Sequence, residues 1–156
     1  MEYDFEINLL SQKFINDYPL SSFPELMYKD GRPYNCLLVD THTDYFICIP
    51  FRTSVPHKNS YHFKDTQRSR LSQSGLDFSK IAIISNSDYI DNRKAIVDQD
   101  EYNETVKNIS KIVSQAVKYV DTYINHINGT KTISVEQYAR LYQYSTLPYF
   151  HDILGL

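Results

Sequence analysis

The sequence predicts a single α+β domain, a small, curved antiparallel sheet with helices packed on it. Three observations point there. The first half of the chain carries short runs rich in β-branched and aromatic residues, bounded by prolines. In the second half, apolar residues recur every three or four positions instead. The length of 156 residues suits one domain spanning 1–156, and no internal repeat or low-complexity linker divides it.

Part of 3–10 reads as a strand and 11–18 as a short helix. The runs 34–40 and 44–51 flank Thr41-His42-Thr43 and form a hairpin signal, with Pro33 and Pro50 at positions where strands begin or reach an edge. Tyr61-His62-Phe63 has the look of a short strand, 81–85 of another entered by a turn at Ser74-Gly75, and 94–98 of a further one. Val106, Ile109, Val113, Ala116, Val120, Ile124 and Ile127 place one stripe along a helix over 101–128, with Gly129 where a terminating glycine belongs. Ser134 followed by Gln137 is a capping-box signature for a second helix, which Pro148 would end.

Cys36 and Cys48 lie inside apolar runs, where a free thiol behaves as a small hydrophobe, so both read as reduced core residues of a cytoplasmic protein. Glu2, Asp4 and Glu6 near the start are unlike a signal peptide, and no run approaches the ~20 apolar residues of a membrane span. The net charge of −3 hides an asymmetry: residues 52–80 carry Arg52, Lys58, Lys64, Arg68, Arg70 and Lys80 against Asp65 and Asp77, while the remainder is strongly acidic. One concentrated cationic segment suits a local anionic ligand, with a solvated loop as the plain alternative.

The tract Pro50-Phe51-Arg52-Thr53-Ser54-Val55-Pro56-His57-Lys58 leaves the second hairpin strand directly. It gathers a guanidinium, two hydroxyls, an imidazole and an ammonium, groups that suit a phosphodiester: Arg binds phosphate oxygens bidentately and His exchanges protons near neutral pH. RNA cleavage by its own 2′-hydroxyl needs alignment, stabilisation of added charge and protonation of the leaving oxygen. Arg52, Thr53 and Ser54 are the candidates around the phosphate, and His57 the candidate for proton transfer. His62 is a weaker second choice, and His42, His126 and His151 read as structural or solvated. Ser54 lacks a G-x-S-x-G elbow, and no metal-ligand spacing appears, so no metal site is expected. Asp98, Asp100 and Glu101 fall where a helix N-terminus favours negative charge. Lys64, Arg68 and Arg70 follow Tyr61 and Phe63 closely, mixing phosphate-binding cations with rings on which bases stack. With Lys58 and Lys80 they make up the expected RNA grip, with Tyr34 and Tyr61 as contact rings.

The step Pro50-Phe51-Arg52-Thr53-Ser54 after a strand pair, and Ser74-Gly75-Leu76-Asp77-Phe78-Ser79-Lys80-Ile81 leading into an apolar strand, resemble the ribonuclease toxins of type III toxin–antitoxin systems. These are the ToxN and AbiQ proteins and their relatives, the second pattern being most like the CptN branch. The resemblance implies a strongly bent sheet or barrel related to MazF and Kid toxins. It also implies a metal-independent endoribonuclease, cleaving cellular RNA and inhibited by a repeat-derived antitoxin RNA, a folded pseudoknot-like unit that it excises itself. Protein and RNA would alternate in a closed hetero-oligomer. The family's Thr-Ser step falls on Thr53 and Ser54, and its basic residue before the first hairpin strand near Arg32, an expected RNA contact. Its catalytic lysine has no counterpart, Pro56 standing there, and its first-segment tyrosine corresponds to Phe14, with Tyr18 one helical turn on. Two other functions fit the same residues: a non-catalytic structured-RNA-binding module, and a protein-interaction domain using the amphipathic helix.

Overall fold

The computed structural model describes residues 4–26 and 34–156, with Asn92 and Lys94 described by backbone alone. Arg32 lies outside the described residues. Seven strands form one antiparallel sheet: β1 (Asp4–Leu10), β2 (Asn35–Asp40), β3 (Phe46–Arg52), β4 (Ser60–His62), β5 (Gly75–Asp77), β6 (Ala82–Ile84) and β7 (Ile90–Lys94). Six helices accompany them: α1 (Gln12–Asp17), α2 (Gln67–Leu71), α3 (Gln99–Lys107), α4 (Ile109–Ile127), α5 (Val135–Tyr142) and α6 (His151–Leu154). The α+β class and the 34–51 hairpin match the sequence expectation.

The sheet order is β4-β5-β3-β2-β1-β7, with β6 also on β3. Among the described residues no pairing joins β7 back to β4, so the sheet is open and the expected barrel closure is absent. β3 is its spine. Along one side, Phe46 to Cys48 pair with β6, and Phe51 and Arg52 pair with β5. Pro50, which has no N–H to give, sits between these two ladders. Opposite it the chain turns through a single 3-10 turn, Phe78–Lys80, that separates β5 from β6.

Distant parts of the chain hold that turn. Thr146 donates its N–H to the Ser79 carbonyl at 2.9 Å and its hydroxyl to the Ile81 carbonyl. Tyr34 Oη donates to the Lys80 carbonyl at 3.0 Å, and Lys80 Nζ reaches the Tyr144 carbonyl at 2.7 Å. The C-terminal segment is thereby fastened to the strand joint. The segment after β1 packs onto that same C-terminal segment through Tyr18 on Phe150 and Phe23 on Tyr149.

Continuous burial along β2 and β3, from Cys36 to Val39 and Ile47 to Pro50, marks strands covered on both faces. The expected single helix over 101–128 is two, α3 and α4, broken at Asn108. The cause is local: Asn108 Nδ2 bonds the Glu104 carbonyl at 2.9 Å, the backbone competition that disfavours Asn inside helices. The break also turns the predicted stripe. Val106 and Ile127 are exposed, while Ile112, Tyr119 and Tyr123 join Val113, Ala116 and Val120 in the core. Gly129 ends α4 with φ 80, and Ser134 Oγ caps α5 through the Gln137 N–H at 3.1 Å. α5 ends at Tyr142, six residues before Pro148, which instead opens the last turns. The strand expected at 94–98 is β7, at 90–94, where it pairs with β1.

Ser74-Gly75 is not a turn. Gly75 starts β5, packed so tightly against β4 that a Cβ would lie 2.3 Å from the Tyr61 carbonyl oxygen. Gly75→Ala is therefore expected to destabilise the fold by about 3 kcal/mol or more, at or above the upper end for overpacking, measured by urea denaturation.

Candidate active site

Arg52 is the last residue of β3, so the sheet interior fixes its backbone; its side chain is 26% exposed. Its partner is Asp77, the last residue of β5, whose side chain has no exposure at all. Arg52 Nη1 donates to Asp77 Oδ2 at 2.5 Å. The other Asp77 oxygen, Oδ1, accepts from the Ser79 amide at 2.9 Å and the Ser79 hydroxyl at 2.6 Å. His57 Nε2 lies 3.2 Å from Asp77 Oδ1, 3.3 Å from Oδ2 and 3.2 Å from Ser79 Oγ. A buried carboxylate thus gathers a guanidinium, an imidazole and a hydroxyl. A charge buried this deeply is stable only when paired and hydrogen-bonded in this way.

Thr53 and Ser54 follow Arg52 directly and are exposed. Their backbone is fastened on both sides: Ser72 Oγ donates to the Thr53 carbonyl at 2.6 Å, and the Val55 N–H to the Gln73 carbonyl at 2.7 Å. Val55 is fully buried and His62 Nε2 donates to its carbonyl at 2.8 Å, which makes His62 a brace for this tract. The two exposed hydroxyls therefore follow Arg52 directly on a rim of fastened backbone. Such a rim can hold a phosphate through charge-assisted bonds.

The structure changes the part given to His57. Its Nδ1 accepts the Asn59 N–H at 3.1 Å, which leaves the neutral ring's proton on Nε2, directed at Asp77 and Ser79. Both nitrogens are engaged within the protein, so exchanging a proton with a ligand requires the ring to turn. Asp77 and Ser79 are the members of the site that charge alone does not reveal, since in the sequence Asp77 only offsets nearby cations. The spacing Asp77-Phe78-Ser79 is the signal: a side chain reaching back to the amide two residues on is the usual Asp turn bond.

The expected RNA grip divides. Lys58, Lys64 and Arg70 are exposed, and Arg68 is half-buried in an ion pair with Asp98 at 3.1 Å. Lys80, Tyr34 and Tyr61 face inward and are corrected to structural residues. Lys80 is 4% exposed and pairs with Glu25 at 3.0 Å, Tyr34 bonds the Lys80 carbonyl, and Tyr61 Oη donates to Glu104 Oε2 at 2.8 Å. Burial also pushes the Tyr61 hydroxyl up, with the Glu104 bond adding to it. Phe14 is buried and stacks on Tyr18, so both belong to the aromatic cluster with Tyr89.

The acidic residues of α3 do more than complement its dipole. Glu104 accepts the Lys64 and Asp65 amides at 3.0 Å, and Asp100 the Gln67 amide at 2.8 Å, so α3 holds the basic segment in place. Cys36 and Cys48 are free and buried, which pushes both thiols up. Among the described residues one other cluster, Asp4, Asp40 and His42, has its ligand atoms within 4.8 Å of one another where β1 begins beside the hairpin turn, His42 Nε2 lying 3.6 Å from Asp4 Oδ2 and Nδ1 3.7 Å from Asp40 Oδ2. No helix among the described residues is long and apolar enough to cross a membrane. Comparison with protein-family models, curated proteins and solved structures found no match to this chain.

Asp77→Asn keeps the shape but removes the charge that Arg52 and His57 share; it is expected to lower stability by about 2 kcal/mol in urea denaturation. Glu101 gives the opposite sign. It is buried, its Oε2 has no partner among the described residues, and desolvation raises its carboxyl above the ordinary value. A raised value favours the protonated form, so its contribution is present below the unfolded value of about 4.3 and lost as pH rises through the folded one. Glu101→Gln is expected to raise the thermal midpoint at pH 7 and to give no gain at pH 3.

Proposed function

We propose that this chain is a metal-independent endoribonuclease, the toxin of a type III toxin–antitoxin system acting in the cytoplasm. The observation that carries the proposal is the buried Asp77 carboxylate gathering Arg52 and His57 beside the exposed hydroxyls of Thr53 and Ser54. In the proposed reaction the ribose 2′-oxygen bonds to the adjacent phosphorus while the bond to the 5′-oxygen breaks. The 2′-hydroxyl proton is lost and the departing 5′-oxygen gains one, leaving a 2′,3′-cyclic phosphate. Arg52 holds the non-bridging oxygens and stabilises the charge they gain, and Thr53 and Ser54 donate to the same phosphate. His57 exchanges the proton once its ring turns from the Asn59 N–H, with the Asp77 carboxylate beside it. The antitoxin is a repeat-derived, folded RNA that the protein excises and that then occupies the same rim in a closed protein–RNA assembly. The bent sheet related to MazF and Kid toxins belongs to this proposal too, with β3 passing from β6 to β5 as its support.

A non-catalytic RNA-binding module is the second reading, and one observation favours it: both ring nitrogens of His57 are already engaged. The products separate the two. Incubation of the purified protein with RNA is expected to yield 2′,3′-cyclic phosphate ends. Ser54→Ala and His57→Ala, both folded by circular dichroism, are expected to lose that activity by about 100-fold or more, Ser54 as a donor to the charge that develops on the phosphate and His57 as the proton-transfer group. Binding without cleavage in the unaltered protein assigns the module instead.

A further inference from the structure

The basic residues singled out by the sequence end at Lys80, and the remainder of the chain is acidic, yet a second cationic feature arises there only on folding. Two cavities lie side by side along α4. The first, of 370 Å³, is lined by Lys58, Gln115 and Lys118 among others. The second, of 700 Å³, is lined by Lys118, Asn125 and Lys131. Lys118, Thr122 and Gln137 line both, so the two form one continuous groove between α4 and α5. From Gln115 to Asn125 it follows α4 for about 15 Å.

The groove starts at the candidate active site. Lys58, Asn59 and Ser60 form its near end. Asn59 joins the two features: its amide holds His57 Nδ1 at 3.1 Å, and its Nδ2 donates to the Arg140 carbonyl of α5 at 3.0 Å. The wall carries three ammonium groups against one carboxylate, Asp121, and the amides of Gln115, Asn125 and Gln137 offer donors and acceptors between them. Spaced cations interleaved with amides, in a groove that leads away from a phosphate-binding rim, match a single polynucleotide strand. Tyr119 and Tyr142 are buried within the core and leave no ring for stacking, so the groove reads the backbone rather than the bases.

We propose that single-stranded RNA runs from the Arg52–Ser54 rim into this α4–α5 groove, with Lys58, Lys118 and Lys131 as successive phosphate contacts. The inference rests on the RNA reading above and assigns that RNA a path. The test is the binding of a labelled, fully 2′-O-methylated RNA 15-mer, which cannot be cleaved, measured by fluorescence anisotropy across a salt series. Lys118→Ala/Lys131→Ala is expected to weaken binding at low salt about tenfold or more. It is also expected to reduce the slope of log K against log salt by about 1.4, because each of the two single-strand phosphates left without its lysine accounts for about 0.7. An unchanged affinity and slope in that variant, with Arg52→Ala still weakened, overturns the groove and leaves the RNA reading standing. Absence of binding by the unaltered protein at low salt overturns both. Displacement of the RNA by polyglutamate at equal charge concentration assigns the groove to acidic peptides and overturns the proposal.

Discussion

A carboxylate without access to water has to find its positive partners inside the fold, and Asp77 is such a group. Much of the architecture around it follows. β3 must end where Arg52 can reach it, and β5 must run close enough to β4 that only Gly75 fits beside the Tyr61 carbonyl. The tract after β3 must fold back so that His57 returns to the same carboxylate. Neither Arg52 nor His57 is deeply buried, so the charge that fixes them lies beneath while their outer edges meet solvent.

The joint between β5 and β6 carries this arrangement. Strands that pair with one neighbour in two separate stretches require a break, and the 3-10 turn at Phe78–Lys80 supplies it opposite Pro50. The turn is kept in place by distant parts of the chain: Tyr34 ahead of the hairpin, and Tyr144 and Thr146 near the C-terminus. Lys80 is spent there. A cation that composition assigns to the surface is consumed in bonding Glu25 and the Tyr144 carbonyl, the partners that a buried ammonium group requires.

α3 acts on the opposite wall in a related way. Its carboxylates accept the amides of residues 64, 65 and 67, and Asp98 just ahead of it pairs with Arg68, so a segment rich in positive charge is tied to a helix rich in negative charge. Of the cations in this segment, Lys58, Lys64 and Arg70 remain exposed.

The sequence by itself determined the α+β class, the 34–51 hairpin, the cap at Ser134, the buried thiols and the concentration of Arg52, Thr53, Ser54 and His57 in one tract. Each of these depends on neighbours within a few positions, through period-two or period-3.6 patterning and local hydrogen bonds. Only the tertiary structure decided which basic and aromatic residues face outward, because burial of Tyr34, Tyr61 and Lys80 is set by partners 46, 43 and 55 residues away in the chain. It also decided that Asp77 gathers Arg52, His57 and Ser79, and that Lys118 stands where the cavity lined by Lys58 adjoins the one lined by Lys131. Residues this far apart in the chain meet only when strands and helices pack, and no local pattern encodes which of them will.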